Sequence, residues 1–259
     1  MKKLLITFIT TIYLFGLNVS VSILPQKFVI DKISNNSIDV NVMIPKGASP
    51  VSYSPKPRQL FGLKKSKIYF SVGVPFEKAW LNKFRSVNPK IEIIYFGKYL
   101  KTDKNPHIWL DPIFLIDEAK VVKEALIKLE PSKKTFYENN YKKFKKECLN
   151  LDKTFRETLN HQKFIIFHPN LYYFAKRYNL TEIALEKQGK EPSIKYLLKI
   201  IKIAKQNNIK LVLTSPEFSK KSAKFLAQKI GGKVIDFSAL DYDIFNNLKR
   251  VVKLLNDNN

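Results

Sequence analysis

The sequence predicts an α/β protein of two lobes, each a parallel sheet with flanking helices, joined by one long backbone helix with a cleft between the lobes. In both halves, short apolar runs alternate with amphipathic segments, as strands and helices do in a parallel sheet. Between the halves, residues 132–160 keep helical periodicity without glycine or proline. We therefore expect one lobe over residues 18–131, a linking helix over 132–160 and a second lobe over 161–259.

The first lobe is predicted to contain strands and helices in alternation. The predicted strands are the apolar runs at residues 19–24, 38–44, 67–72 and 91–96. The predicted helices are the amphipathic segments at residues 26–33 and 76–84. Prolines 45, 50, 55 and 57 interrupt this rhythm, so residues 45–57 are expected to form an irregular loop after the second strand.

A helix is predicted after His107, with Asp111 as its cap and Pro112 in its first position. Pro131 ends it. The linking helix follows, and its apolar side chains recur at spacings of four and three: Tyr137, Tyr141, Phe144, Cys148, Leu151, Phe155 and Leu159. At 1.5 Å per residue it would be roughly 40 Å long, which indicates a rigid strut between two lobes.

The second lobe repeats the α/β rhythm. Strands are predicted at residues 164–167 and 210–214, and a further strand ends at Asp236. Helices are predicted at residues 171–178, 194–206, 219–230 and 242–255. Ser193 is the expected cap of the second of these helices, and Gly231 with Gly232 ends the third.

Residues 1–17 have the pattern of a cleaved secretory signal, with Lys2 and Lys3 ahead of an apolar stretch. The stretch is too short for a comfortable membrane span. No cysteine follows it as a lipid-anchored protein would require, and the only cysteine, Cys148, lies far downstream. We expect a soluble protein of a bacterial periplasm without an internal disulfide.

The chain is strongly basic, with 46 Lys and Arg residues against 22 Asp and Glu residues and a net charge of +24. Only five of the basic residues are arginines, and the lysines are spread over nearly every helix. Nucleic-acid surfaces usually cluster arginine with aromatic residues. We therefore expect solvated lysine faces and no nucleic-acid partner. A docking surface for anionic headgroups or a protein partner stays open.

Three side chains are candidates for a metal site. His107 stands on a short loop ahead of a helix, His168 ends the apolar run at residues 163–167, and Asp236 ends another run. Ligands of open α/β sheets bind beyond the carboxyl ends of the strands. Each residue alone could be structural, as a hydrogen-bonded histidine or a helix cap. With only three histidines in the chain, two at the predicted cleft favour a transition-metal site.

The remaining histidine, His161, begins the run that His168 ends. Seven extended residues span roughly 23 Å, so these two histidines do not share one ion. We expect His161 to lie on the surface at the far end of the lobe.

Several segments occur in the order and spacing of one known family. They include Asn-Pro-His-Ile-Trp-Leu-Asp-Pro at residues 105–112 and Phe-His-Pro at residues 167–169; the others are residues 22–26, 42–59, 71–80, 173–180, 191–193 and 235–236. Together they resemble the zinc- and manganese-specific solute-binding proteins of ABC importers, the TroA-like receptors with a helical backbone. The resemblance covers nearly the whole mature chain.

The resemblance implies a receptor rather than an enzyme. It would bind Zn²⁺, or less readily Mn²⁺, between its lobes and deliver the ion to an ABC permease in the inner membrane. Carried over position by position, His107, His168 and Asp236 would be the metal ligands. We expect such a receptor to work as a monomer in the periplasm.

The first ligand loop departs from the family pattern. The family has a histidine where this chain has Val51, and valine coordinates no metal. Where the family often carries a glutamate before a proline, this chain has Ser215. Residues 60–66 are short and basic, and the loop rich in histidine and acidic residues that many zinc receptors carry is missing. Two alternatives stay open: a receptor fold that has lost metal binding and serves as an adhesion or accessory module, and a metal-dependent hydrolase with Glu217 as its base.

Overall fold

The computed structural model describes residues 16–100, 105–160, 162–186 and 190–257. Most of the predicted signal segment, residues 1–17, lies outside these ranges, and so does His161. In the ranges described, no helix combines the length and apolar character that a membrane span requires.

The first lobe is a parallel sheet of four strands covered by helices. Its elements in chain order are β1 (Asn18–Val21), α1 (Leu24–Ser34), β2 (Asp39–Val42), α2 (Pro57–Lys65), β3 (Ile68–Ser71), α3 (Pro75–Val87) and β4 (Glu92–Tyr95). The strand order is β2-β1-β3-β4, and every pair is parallel. The carboxyl ends of all the strands therefore lie along one edge of the sheet.

Two long helices follow this sheet. Helix α4 (Pro112–Leu129) begins as predicted, because the Asp111 carboxylate accepts hydrogen bonds from the backbone N–H groups of Ile113 and Phe114 at 2.8 and 3.2 Å. Helix α5 (Lys134–Thr158) has 25 residues. Its length of roughly 37 Å confirms the predicted linking helix.

The second lobe repeats the topology of the first. Its elements are β5 (Lys163–Ile166), α6 (Tyr172–Arg177), β6 (Thr181–Ala184), α7 (Ile194–Gln206), β7 (Leu211–Thr214), α8 (Lys221–Ile230), β8 (Lys233–Asp236) and α9 (Ile244–Asn256). The strand order β6-β5-β7-β8 is parallel throughout and matches that of the first sheet. The predicted fold of two α/β lobes and one joining helix is confirmed.

Helix α5 holds the lobes together through aromatic contacts on its buried side. Phe144 stacks on Phe245 of α9 with ring centres 5.4 Å apart, and its edge meets Phe28 of α1 at 6.2 Å. Further along α5, Phe155 meets Phe174 of α6 at 5.8 Å. One helix thus contacts elements of both lobes, so it is a part of the core as well as a strut.

Two elements were missed by the sequence analysis. Helix α2 was not predicted, because Leu63 is its only fully buried residue and the segment therefore has little continuous apolar signal. Strand β6 is a half-buried edge strand that contains Thr181 and Glu182. An edge strand with polar residues lacks the continuous apolar run that predicts a central strand.

The packing of α5 predicts a stability loss that depends on burial. Phe144→Ala should lower the free energy of unfolding by about 3–5 kcal/mol, because it leaves a cavity between α1, α5 and α9. Leu149→Ala on the same helix is the control, since Leu149 is 45% exposed. Urea denaturation followed by circular dichroism measures both. Equal losses in the two variants would contradict the described packing.

Candidate metal centre

The loop that carries His107 is fixed to the second lobe at both ends. At its start, the Asn105 side-chain nitrogen donates to the Pro169 carbonyl oxygen at 3.1 Å. At its end, Asp111 accepts hydrogen bonds from Nε of Arg177 at 2.6 and 2.7 Å. Because Pro169 follows His168 and Arg177 ends α6, these contacts bring the two predicted histidines to one place.

The ring of His107 is held in one orientation by Asn105. Nδ1 of His107 lies 2.6 Å from Oδ1 of Asn105, which also accepts from the His107 backbone N–H at 2.9 Å. An amide oxygen only accepts, so Nδ1 carries the proton and Nε2 keeps its lone pair. Burial, and then the neighbouring His168, lower the pKa of His107 to about 3. This imidazole is therefore neutral at physiological pH.

A buried carboxylate orients His168 in the same way. Nδ1 of His168 lies 2.9 Å from Oε1 of Glu186, and its ring stacks on Phe218 with centres 4.9 Å apart. Glu186 follows strand β6, and its side chain is 5% exposed. A carboxylate on Nδ1 leaves Nε2 as the free nitrogen, which is the arrangement that orients metal-binding histidines.

The two histidines form a pair between the lobes. Their ring centres are 5.0 Å apart, and their planes cross at 74°. Since both Nδ1 atoms are bound to oxygen acceptors, the remaining donors are two Nε2 atoms on adjacent rings. Imidazole nitrogen suits zinc and other late first-row metals.

Asp236 lies apart from this pair. It ends β8 as predicted, but its carboxylate accepts a hydrogen bond from Nζ of Lys220 at 2.7 Å, and its side chain is 47% exposed. It is not among the residues that line the cavity at the histidines. In the part of the chain that the structure describes, no three His, Cys, Asp or Glu side chains come close enough to hold one ion.

The cavity at the histidine pair has a volume of about 370 Å³ and mostly apolar walls. Val51, at the position where the family has its histidine, lines this cavity and is 69% exposed. Glu217 also lines it, with Oε1 accepting from the Ser238 hydroxyl at 3.0 Å. The cavity therefore brings together both predicted histidines, two carboxylates and the loop that lacks its histidine.

Sequence reasoning missed Glu186, because strand β6 ahead of it was not predicted. Its position just beyond the end of a parallel strand could have identified it as a site residue, because ligands of such sheets bind beyond the carboxyl ends of the strands. Glu217 was predicted near the cleft, as the base of an alternative enzyme.

The profile of a family described as the zinc-uptake complex component A, periplasmic (ZnuA), matches residues 19–249. The chain belongs to the ZnuA family. The match spans both lobes and the joining helix, and it confirms the resemblance inferred from the motifs. Because this is a family of solute-binding receptors, it also confirms the expectation of a receptor rather than an enzyme.

Similar proteins include both zinc and manganese receptors. A crystal structure of ZnuA is 34% identical, covers 94% of this chain and 99% of that chain, and superposes with a TM-score of 0.88. The high-affinity zinc uptake system protein ZnuA of Bacillus subtilis is 25% identical over 229 residues, which are 78% of this chain and 72% of that protein. The manganese ABC transporter substrate-binding lipoprotein PsaA of Streptococcus anginosus is 28% identical over 199 residues, 67% of this chain and 64% of that protein.

The contact between Glu186 and His168 predicts a single tautomer. In ¹⁵N NMR spectra at mildly alkaline pH, His168 should show a protonated Nδ1 and an unprotonated Nε2. Glu186→Ala should shift it towards the mixture of tautomers of a free imidazole, because the acceptor is lost. Glu217→Ala is the control, since Glu217 contacts Ser238. An unchanged His168 spectrum in Glu186→Ala would refute the orienting role of Glu186.

Proposed function

We propose that this chain is the receptor of a metal ABC importer, which takes a divalent metal ion at His107 and His168 and delivers it to a membrane permease. The observation that carries the proposal is the histidine pair, with ring centres 5.0 Å apart and each Nδ1 bound to an oxygen acceptor. Membership of the ZnuA family and the similarity to zinc and manganese receptors support it.

Zinc is the ion that the donor set favours. Imidazole suits zinc, whereas manganese sites favour oxygen donors in octahedral geometry. The test is to dialyse the protein against a chelator, scan it for retained metals by mass spectrometry, and titrate it with Zn²⁺ and Mn²⁺ by calorimetry. Tighter binding of Mn²⁺ than of Zn²⁺ would overturn this preference.

The proposed receptor works as a monomer in the periplasm, where its family is described as acting. A monomer fits a cleft whose histidines both come from one chain. Light scattering of the purified mature protein, with and without zinc, tests this, and a stable dimer would contradict it.

Loss of metal binding is the second candidate, and Val51 is the observation that favours it. A receptor fold without a functional site would serve as an adhesion or accessory module. The same calorimetric titrations decide between the two: no binding of Zn²⁺ or Mn²⁺ would select this candidate.

Removing either histidine should impair zinc binding. We expect His107→Ala and His168→Ala each to weaken it at least about tenfold, because each removes one of the two adjacent nitrogen donors. Competition with a chromophoric chelator measures the affinity. The control is His161→Ala, which the sequence places at the far end of the lobe. Unchanged affinity in either variant would refute the site.

The third ligand is tested by a pair of carboxylate variants. Asp236 is the ligand that the resemblance implies, but it pairs with Lys220, whereas Glu217 lines the cavity of the histidines. We therefore expect Glu217→Gln to weaken zinc binding more than Asp236→Asn does in the chelator competition. The reverse order would restore Asp236 as the ligand and require it to leave Lys220.

Val51→His should strengthen zinc binding by about tenfold or more, because it adds a donor to a site with fewer than the four ligands that zinc prefers. Val51 is exposed and lines the cavity, so an imidazole fits there without repacking the core. Calorimetry measures the change, and Val51→Leu controls for the altered size of the side chain. Equal binding in the two variants would mean that residue 51 does not face the ion.

A further inference from the structure

The two helices that form the outer layer of the second lobe carry positive charge only. Helix α7 contains four lysines and α8 contains three, and neither helix contains Asp or Glu. The joining helix α5 differs, because four acidic residues stand among its basic ones: Glu138, Glu147, Asp152 and Glu157. The positive charge of α7 and α8 is therefore not balanced by acids within this layer.

The sheet of the second lobe separates this layer from the rest of the protein. Ile165 and Val212 belong to the core that α7 and α8 cover, whereas Phe164, Ile166 and Leu213 belong to the core that contains α5. Successive residues of a strand point to opposite faces of the sheet. Helices α7 and α8 therefore pack on the face that is turned away from α5, and their other side faces solvent.

The solvent side of these helices mixes lysines with apolar side chains. In α7, Ile194 and Leu198 are 78% and 59% exposed, and each is followed by an exposed lysine. In α8, Phe225 is exposed next to Lys224. We call this surface the outer face; its exposed residues are Ile194, Lys195, Leu198, Lys199, Lys202, Lys221, Lys224, Phe225 and Lys229.

The lysines of the outer face are available to an external anion. Among the salt bridges of the described ranges, none involves a lysine of α7 or α8. Lys220, just ahead of α8, does pair with Asp236, at 2.7 Å. Positive charges that no nearby acid neutralises create a surface potential that attracts a negatively charged partner.

The composition of the outer face favours a lipid surface over a protein partner. Protein interfaces are enriched in arginine and aromatic residues and depleted of lysine. A lysine ammonium is a point charge on a flexible stem, so it needs no planar partner in a fixed position. Phosphate headgroups, which move laterally in a bilayer, meet this requirement. Exposed apolar side chains beside lysines are also typical of helices that lie in a membrane interface.

We infer that the outer face of α7 and α8 docks on a bilayer surface that contains anionic phospholipid. The lysines attract the headgroups, while Ile194 and Leu198 insert between them and leave water. No metal ligand takes part, so docking goes beyond the proposed function and is independent of metal binding. A receptor held in this way stays close to the membrane in which its permease lies.

Sedimentation with vesicles tests the inference. The mature protein is mixed at physiological ionic strength with vesicles of phosphatidylcholine alone, or of phosphatidylcholine and phosphatidylglycerol in equal parts. We expect binding at least about tenfold stronger to the vesicles with phosphatidylglycerol, because each lysine near an anionic surface adds to the attraction. No binding to these vesicles would overturn the inference and leave an acidic protein surface as the partner of the outer face.

A pair of charge-reversal variants separates the outer face from the net charge of the whole protein. The α7 variant is Lys195→Glu/Lys199→Glu/Lys202→Glu. The matched α5 variant changes the net charge equally on another exposed helix side; it is Lys142→Glu/Lys145→Glu/Lys146→Glu. We expect the α7 variant to bind anionic vesicles at least about tenfold more weakly than the α5 variant does. Equal weakening would show that total charge alone draws the protein to the bilayer, which overturns the inference.

A third variant tests the apolar contribution. Ile194→Ser/Leu198→Ser keeps every charge and changes only exposed positions, so the fold is not at risk. It should weaken binding to anionic vesicles at least about tenfold, because two apolar side chains no longer leave water. Unchanged binding would overturn the insertion of α7. Calorimetry with Zn²⁺ should give the same affinity for this variant as for the unaltered protein, so failure of docking and failure of the proposed function are distinguishable.

Discussion

The buried carboxylate of Asp111 sets the geometry on which the candidate site depends. It accepts hydrogen bonds from the first turn of α4 and from Nε of Arg177 at the end of α6, so one helix of each lobe meets the same group. Its side chain is 1% exposed, and removing one partner of such a pair typically costs about 3–5 kcal/mol. His107 precedes Asp111, and His168 begins the segment that leads into α6. The distance between the two rings is therefore fixed by a contact outside the site.

Within that frame, affinity for an ion depends on how well the imidazoles are pre-oriented. Asn105 and Glu186 each bind an Nδ1 atom, so neither ring must reorient before Nε2 can donate. The net charge of +24 repels a divalent cation. Salt screens the exposed charges beyond about 8 Å at physiological ionic strength, so lysines far from the cavity contribute little to this repulsion. Glu186 and Glu217 line the cavity itself, so at the proposed site their charges act at shorter range than those of the exposed lysines.

Features that rest on local chemistry could be predicted from the sequence. The cap at Asp111 and the cap at Ser193, whose Oγ accepts from the Tyr196 N–H at 3.3 Å, follow from a few neighbouring residues. Strand β8 also ends at Asp236 as expected. The direction of that side chain could not be predicted, because adjacent residues of a strand point to opposite faces and the partner Lys220 comes from another element. Glu186 was missed for the related reason that β6, at the sheet edge, carries little apolar signal.

The loop that carries Val51 is held in place by hydrogen bonds that do not involve the side chain of residue 51. Gln59, in the first turn of α2, accepts from the Tyr53 hydroxyl and the Lys56 N–H, and it donates to the Val42 and Met43 carbonyl oxygens. These bonds hold the loop against the end of β2 without residue 51, which is exposed. A histidine there adds a metal donor but no contact that the loop requires. The loop therefore keeps its place against β2 whether residue 51 is a valine or a histidine.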